Sequence, residues 1–230
     1  MNKLLKKTLF SSAMIMMASQ AIAAFSLNGT RFIYEEGKKN ISFEVNNGAK
    51  ETYGGQVWID NTIQSKDNVY LVPSPPFFKV KPGGKQIVRL MNVNSKLPKD
   101  RESLFWLNVQ ELPPMPENTE GNMLAIALNT QVKVFYRPKI IMDGRKDAER
   151  NLKVVPENGK AVLKNPTPYY FAVTGAKVNG KEVTLTKRIQ SSLAQLAPYS
   201  EVSLGILDLK GKVLIKSIND WGGEEWHEIN

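Results

Sequence analysis

The chain has 230 residues, 42% hydrophobic, with 31 Lys and Arg against 22 Asp and Glu, one histidine and no cysteine. Its net charge of +9 is spread among acids, as in Lys146-Asp147 and Glu149-Arg150, without the basic, aromatic-studded cluster of a nucleic-acid binder. A lone His227 excludes a multi-histidine metal centre, the absence of thiols excludes disulfide stapling, and no nucleophile motif accompanies the one histidine to suggest a Ser-His-Asp triad. The chain therefore reads as a non-enzyme without a cofactor, held together by core burial.

Lys3, Lys6 and Lys7 open the chain without acidic neighbours, Leu9–Ile22 is mostly small or apolar, and Ala21-Ile22-Ala23 suits a leader peptidase. Residues 1–23 read as an export leader cut between Ala23 and Ala24. The alternative, an uncleaved anchor, is disfavoured by the shortness of the apolar run. Loss of the three leader lysines takes the charge to +6. No other segment approaches membrane-span length, so the exported chain is expected not to be membrane-embedded.

Short strand-like runs then recur between turn signals, with no long helical period. Thr30–Tyr34 and Ile41–Val45 alternate, the second ending at Asn46-Asn47-Gly48. Gln56–Asp60, Val69–Val72 and Gln86–Met91 follow, the last behind the turn Lys81-Pro82-Gly83-Gly84. The prolines of Pro73–Pro76 suit an edge or loop, and Ser74-Pro75 and Pro75-Pro76 are the candidate cis bonds. Phe105–Leu112 alternates again and stops at Pro113-Pro114, which cannot continue a ladder. A short polar connection, Pro113–Asn122, leads to the longest strand candidate, Met123–Tyr136, ended by Pro138. The charged stretch Asp143–Asn151 reads as a linker or long loop. A second β pattern begins near Leu152. Val178-Asn179-Gly180-Lys181 is a two-residue hairpin signal within it, and Leu209-Lys210-Gly211-Lys212 precedes the strand Val213–Ile218. About seven short strands per half point to an all-β chain of two immunoglobulin-like sandwiches, residues 24–140 and 141–230.

Two features of the longest strand stand out. Leu124, Ile126 and Leu128, with Thr130 in the same register, share one face as an apolar row, opposed by the small Ala125 and Ala127. That row either faces the chain's own core or is presented to a partner. Lys133 lies between Val132 and Val134, where a lysine ordinarily marks the solvated face of an edge strand.

The run Leu97-Pro98-Lys99-Asp100-Arg101-Glu102-Ser103, the body Trp106-Leu107-Asn108 and the stop Leu112-Pro113-Pro114 together resemble the signature segment of periplasmic pilus chaperones. The similarity extends over nearly all of residues 24–230, through Ser26–Arg31, Val132–Pro138, Asn165–Tyr170 and Ile218–Gly223. It implies an L-shaped pair of immunoglobulin-like domains with a cleft between them, residence in the periplasm, and two partners: pilus subunits and an outer-membrane usher. In that family an Arg on the first strand and a Lys on the last strand of the first domain grip a subunit's C-terminal carboxylate. The matching positions are Arg31 and Lys133. The resemblance further implies donation of the row Leu124, Ile126, Leu128 and Thr130 to a subunit sandwich that lacks its last strand. Glu102, Arg137 and Asp220 match the family's inter-domain ion network.

The short Pro113–Asn122 connection resembles the subclass that serves adhesive pili. Some relatives add a strand beyond the position of Trp221-Gly222-Gly223, which leaves the last edge of the second domain open, as is self-association of the unliganded form. The alternative is a secreted sandwich adhesin or carbohydrate-binding module. That reading calls for aromatics on loops or an acidic calcium cluster, whereas Trp58 and Trp106 fall in strand patterns.

Overall fold

The computed structural model describes residues 23–115, 125–205 and 211–229, so leader residues 1–22, Met123-Leu124, Leu209-Lys210 and most of the Pro113–Asn122 connection lie outside it. Period-two patterning in the first half builds β1 (Phe25–Leu27), β2 (Arg31–Glu35), β3 (Ile41–Asn47), β4 (Tyr53–Asn61), β5 (Leu71–Ser74), β6 (Phe77–Val80), β7 (Lys85–Asn92), β8 (Ser103–Leu112) and β9 (Asn129–Arg137). They form two sheets, ordered β1-β3-β7-β5 and β2-β9-β8-β4-β6. Phe43, Val45, Val88 and Leu90 from the first meet Val57, Phe105, Leu107, Val109 and Val134 from the second, each at most 2% exposed. The chain changes sheet at Asn28-Gly29-Thr30: β1 pairs with β3 antiparallel, while β2 pairs with β9 in parallel. Pro73 sits in β5, at the edge of its sheet, where a missing N–H costs no ladder bond, and Ser74-Pro75 is cis.

The second half folds into β10 (Lys153–Glu157), β11 (Lys160–Lys164), β12 (Val173–Val178), β13 (Lys181–Glu182), β14 (Glu201–Ser203), β15 (Val213–Ile218) and β16 (Glu224–Ile229). These form sheets ordered β10-β11-β14 and β13-β12-β15-β16 around Leu152, Leu163, Phe171, Leu193, Leu196 and Ile215. The fold is thus two immunoglobulin-like β-sandwiches. The β12–β13 turn places Asn179 and Gly180 at φ 49° and 81°, the double left-handed conformation of a type I′ hairpin.

Four sequence expectations change. The strand expected over Met123–Tyr136 is regular only from Asn129, so Ile126 and Leu128 of the expected donor row precede it. The charged Asp143–Asn151 stretch is no free linker: two single-turn 3-10 helices, Lys139–Ile141 and Ala148–Asn151, pack it down, with Ala148 and Glu149 buried. A helix, α1 (Lys187–Leu193), capped by the Thr186 side chain on the Ile189 N–H, lies within the second half. Finally, β16 pairs along the whole of β15, so Glu224–Ile229 closes the edge that the sequence left open.

Gly55, opposite Glu111 on the core face of β4, is tightly packed by aromatic rings. A β-carbon there would stand 2.3 Å from the Phe78 ring and 3.0 Å from that of Phe25. Gly55→Ala is expected to lower stability by about 1–3 kcal/mol, read as a reduced chemical-denaturation midpoint.

Candidate functional site

The outer face of the five-stranded sheet is set by alternation. Residues 105, 107 and 109 of β8 face the core, so Leu104, Trp106 and Asn108 face outward, alongside Phe135, Lys133 and Gln131 of β9. Parallel pairing with β9 puts Arg31 directly beside Lys133, and Ile33 beside Phe135. Going along this face, an apolar cluster of Leu104, Phe135 and the second domain's Tyr170 gives way to the two cations, then to amides. In the amide group, Asn129 and Gln131 both donate to Asn108 Oδ1.

Both cations are half-buried and reach the second domain. Lys133 Nζ donates to the Ala194 carbonyl and stands 5.6 Å from the Trp106 ring centroid, while Arg31 Nη1 donates to the Ile218 carbonyl at 2.9 Å. Neither has an ion-pair partner among the described residues, and Arg31 Nε is buried without a hydrogen bond. Burial, with Arg31 alongside, pushes the Lys133 ammonium down to about 8. Burial also lowers Arg31, with Asp220 opposing and Arg145 assisting. Two adjacent, underneutralised cations at a cleft are chemically an anion receptor, suited to charge-assisted bonds to one carboxylate. A cleft of about 500 Å³ opens beside Arg31, with Thr30, Phe32 and Trp221 in its walls.

The apolar row has the parity of Val132 and Val134, which lie on the core side of β9. Thr130 is half-buried, but Ile126 and Leu128 run past the end of the domain's core, 65% and 44% exposed. Leu128 O still accepts the Glu111 N–H, so the chain keeps the line of β9. Because β2 begins at Arg31, residues 129–132 of β9 pair only with β8 among the described strands, and their other edge is open.

The domains are joined by ions. Arg137 Nε donates to Glu102 Oε1 at 2.7 Å, and its two terminal nitrogens donate to Asp220 at 2.7 and 3.1 Å. Glu102 also accepts the Tyr170 N–H, and its own N–H reaches the Pro168 carbonyl. Burial raises the Asp220 carboxyl, but the Arg137 hydrogen bonds together with the positive charges of Arg137, Arg145 and Arg31 outweigh it and hold the group below the ordinary carboxylate range. At Glu102, the more enclosed of the two, burial wins and pushes the carboxyl up.

Residues 24–142 match the family of pili and flagellar-assembly chaperones through the PapD N-terminal domain, and residues 147–229 match the PapD C-terminal domain. The chain belongs to the PapD family of pilus-assembly chaperones. It is 44% identical over 210 residues to the chaperone protein FanE of Escherichia coli, covering 91% of this chain and 92% of that one. To the E. coli chaperone FaeE it is 37% identical over 234 residues, covering 100% and 87%. The periplasmic chaperone SfaE superposes with a TM-score of 0.71 at 31% identity, over 89% of this chain and 98% of that one. The Salmonella enterica SafB chaperone, solved with the SafA pilin, shares the fold with a TM-score of 0.76 at 24% identity over 90% and 96%. Membership replaces the adhesin reading, and the relatives carry the name of chaperones, a non-catalytic role.

Arg145 is a participant in this pilus chaperone's junction that motif reading passed over. It donates to both oxygens of Glu149 and comes within 3.5 Å of Asp220. The i, i+4 spacing of Arg145 and Glu149 inside a supposed linker was the available signal. Ala194 and Ile218 contribute only carbonyl oxygens, for which a sequence has no marker. Arg137→Ala would strand the buried Glu102 carboxylate. The expected loss is about 3–5 kcal/mol in equilibrium denaturation, with Arg137→Lys recovering only part because one ammonium cannot bridge both carboxylates.

Proposed function

We propose that this chaperone binds pilus subunits in the periplasm by lending them a strand, and passes them to an outer-membrane usher. The observation that carries the reading is the open lane beside residues 129–132, ending at the Arg31–Lys133 pair. A subunit strand laid parallel to β9 in that lane would finish where β2 starts, with its terminal carboxylate at the two cations. The row Leu124, Ile126, Leu128 and Thr130 would then enter the subunit's unfilled groove, continuing the apolar stripe that Val132 and Val134 occupy in the chaperone's own core.

Backbone pairing supplies affinity along the lane and the apolar row fills the subunit core. Each large aliphatic contributes roughly 1.5–3 kcal/mol before ordering costs. The carboxylate anchor sets register, since a slip of one residue would turn the row out of the groove. Folding on the donated strand supplies the driving force, so no nucleotide is required. Glu102, Arg137 and Asp220 act as support, holding the second-domain carbonyls against the anchor.

Co-expression with the subunits of its own locus, followed by periplasmic co-purification, tests the reading: a stoichiometric β-rich subunit should elute with the unaltered chain and be lost with Lys133→Ala. Free Lys133 titrates at about 8, and a bound carboxylate favours its charged form and raises that value. Complex formation above that pH must take up a proton. Subunit affinity is therefore expected to be constant well below pH 8 and to fall up to tenfold per unit above it, with the slope abolished in Lys133→Ala. Unchanged affinity up to pH 9.5 would remove Lys133 from the anchor.

Ile126→Asp is expected to weaken subunit binding by at least tenfold while moving the free chaperone's Tm by less than about 2 °C, because the side chain has no core of its own to leave. A large Tm loss would assign the row to the chaperone itself.

A further inference from the structure

Glu111 is a buried carboxylate that subunit capture does not use. It has the parity of Phe105, Leu107 and Val109 on β8, so its side chain enters the first-domain core, where it is 3% exposed. Its Oε1 accepts the Phe25 N–H at 2.7 Å. Among the described residues it has no ion-pair partner. One neutral backbone donor is poor compensation for a carboxylate removed from water.

The chain just before Phe25 is held in the same region. Ala24 is 5% exposed and its carbonyl accepts the Gly48 N–H at 2.8 Å, while Phe25 packs on Tyr53 and Phe78. One residue spans at most about 3.6 Å, so the Ala24 nitrogen lies within a residue's length of the Phe25 nitrogen that Glu111 binds. In the uncut chain that nitrogen is a neutral amide. A leader peptidase hydrolysing the Ala23–Ala24 amide adds one water, leaving a carboxylate on the departing Ala23 and a protonated α-amine on Ala24.

We propose that leader removal completes the first domain by creating an ammonium at Ala24 that pairs with buried Glu111. The proposal rests on the cut between Ala23 and Ala24. It gives Glu111 the counter-charge its burial calls for and pins the start of β1. Only Asn28-Gly29-Thr30 separates β1 from Arg31, so the same contact steadies the approach to the anchor. Processing would thereby couple to the readiness of the subunit site.

Four exported proteins test this: the chain starting at Ala24 and the chain with one glycine inserted before Ala24, each carrying Glu111 or Glu111→Gln, with every N-terminus verified by intact mass. Glutamine keeps an acceptor for the Phe25 N–H but carries no charge. The added glycine is expected to lower Tm by about 4–8 °C with Glu111 and by less than about 1 °C with Glu111→Gln. Equal losses in both backgrounds, no loss in either, or a mature N-terminus other than Ala24 would overturn the proposal. If Glu111→Gln does not fold, titration of the Ala24 α-amine by NMR in the unaltered mature protein decides. A value above about 8.0 supports the pair, and the ordinary 7.7–8.0 or lower overturns it.

Discussion

A single guanidinium, that of Arg137, bonds carboxylates from both domains, and the site's geometry follows from it. Glu102 lies just before β8 and Asp220 in the turn between β15 and β16, so satisfying Arg137 brings the ends of two sandwiches together. That closure carries the Ala194 and Ile218 carbonyls to Lys133 and Arg31. Buried ions of this kind need not add net stability, because desolvation offsets most of their attraction. Their directional bonds restrict the angle between domains, which apolar contact through Leu104, Phe135 and Tyr170 would leave freer.

The motif Asn165-Pro166-Thr167-Pro168-Tyr169-Tyr170 works toward the same end. Asn165 donates to the Tyr169 and Ala197 carbonyls and accepts from Thr167, tying the loop into one shape. The loop then offers the Pro168 carbonyl and Tyr170 N–H to Glu102, and the Tyr169 hydroxyl to the Ile141 carbonyl. Polar groups that would be costly to bury alone are spent on one another across the junction.

An open strand edge and an exposed apolar row are each liabilities toward unwanted association. Here both occur together, where β9 runs beyond the start of β2. The cations mark the inner limit of the open lane, and both are half-buried side by side without an ion-pair partner among the described residues, Asp220 acting on Arg31 only at longer range. Hydrophobic demand and electrostatic demand thus lie along one line, which is the demand that the proposed subunit strand, ending in a carboxylate, would answer.

Much of this was legible in the residues. Alternation and turn chemistry located most strands, Asn179-Gly180 marked its hairpin, and the Leu97–Pro114 segment pointed to the family, because these signals act over a few neighbouring residues. Tertiary structure decided the rest. Whether Ile126 and Leu128 meet a core depends on where the opposite sheet ends, and local parity does not contain that. The folding-down of Asp143–Asn151 brings Arg145 onto Asp220, Tyr169 and Phe171, groups far along the chain. The pairing of Arg31 with Lys133 depends on a parallel register between strands about a hundred residues apart, and the carbonyls they bond are backbone atoms that every residue possesses. The sequence by itself determined strands, turns and family. The tertiary structure decided which charges meet and which apolar side chains are left without a core, because those outcomes come from long-range packing and desolvation.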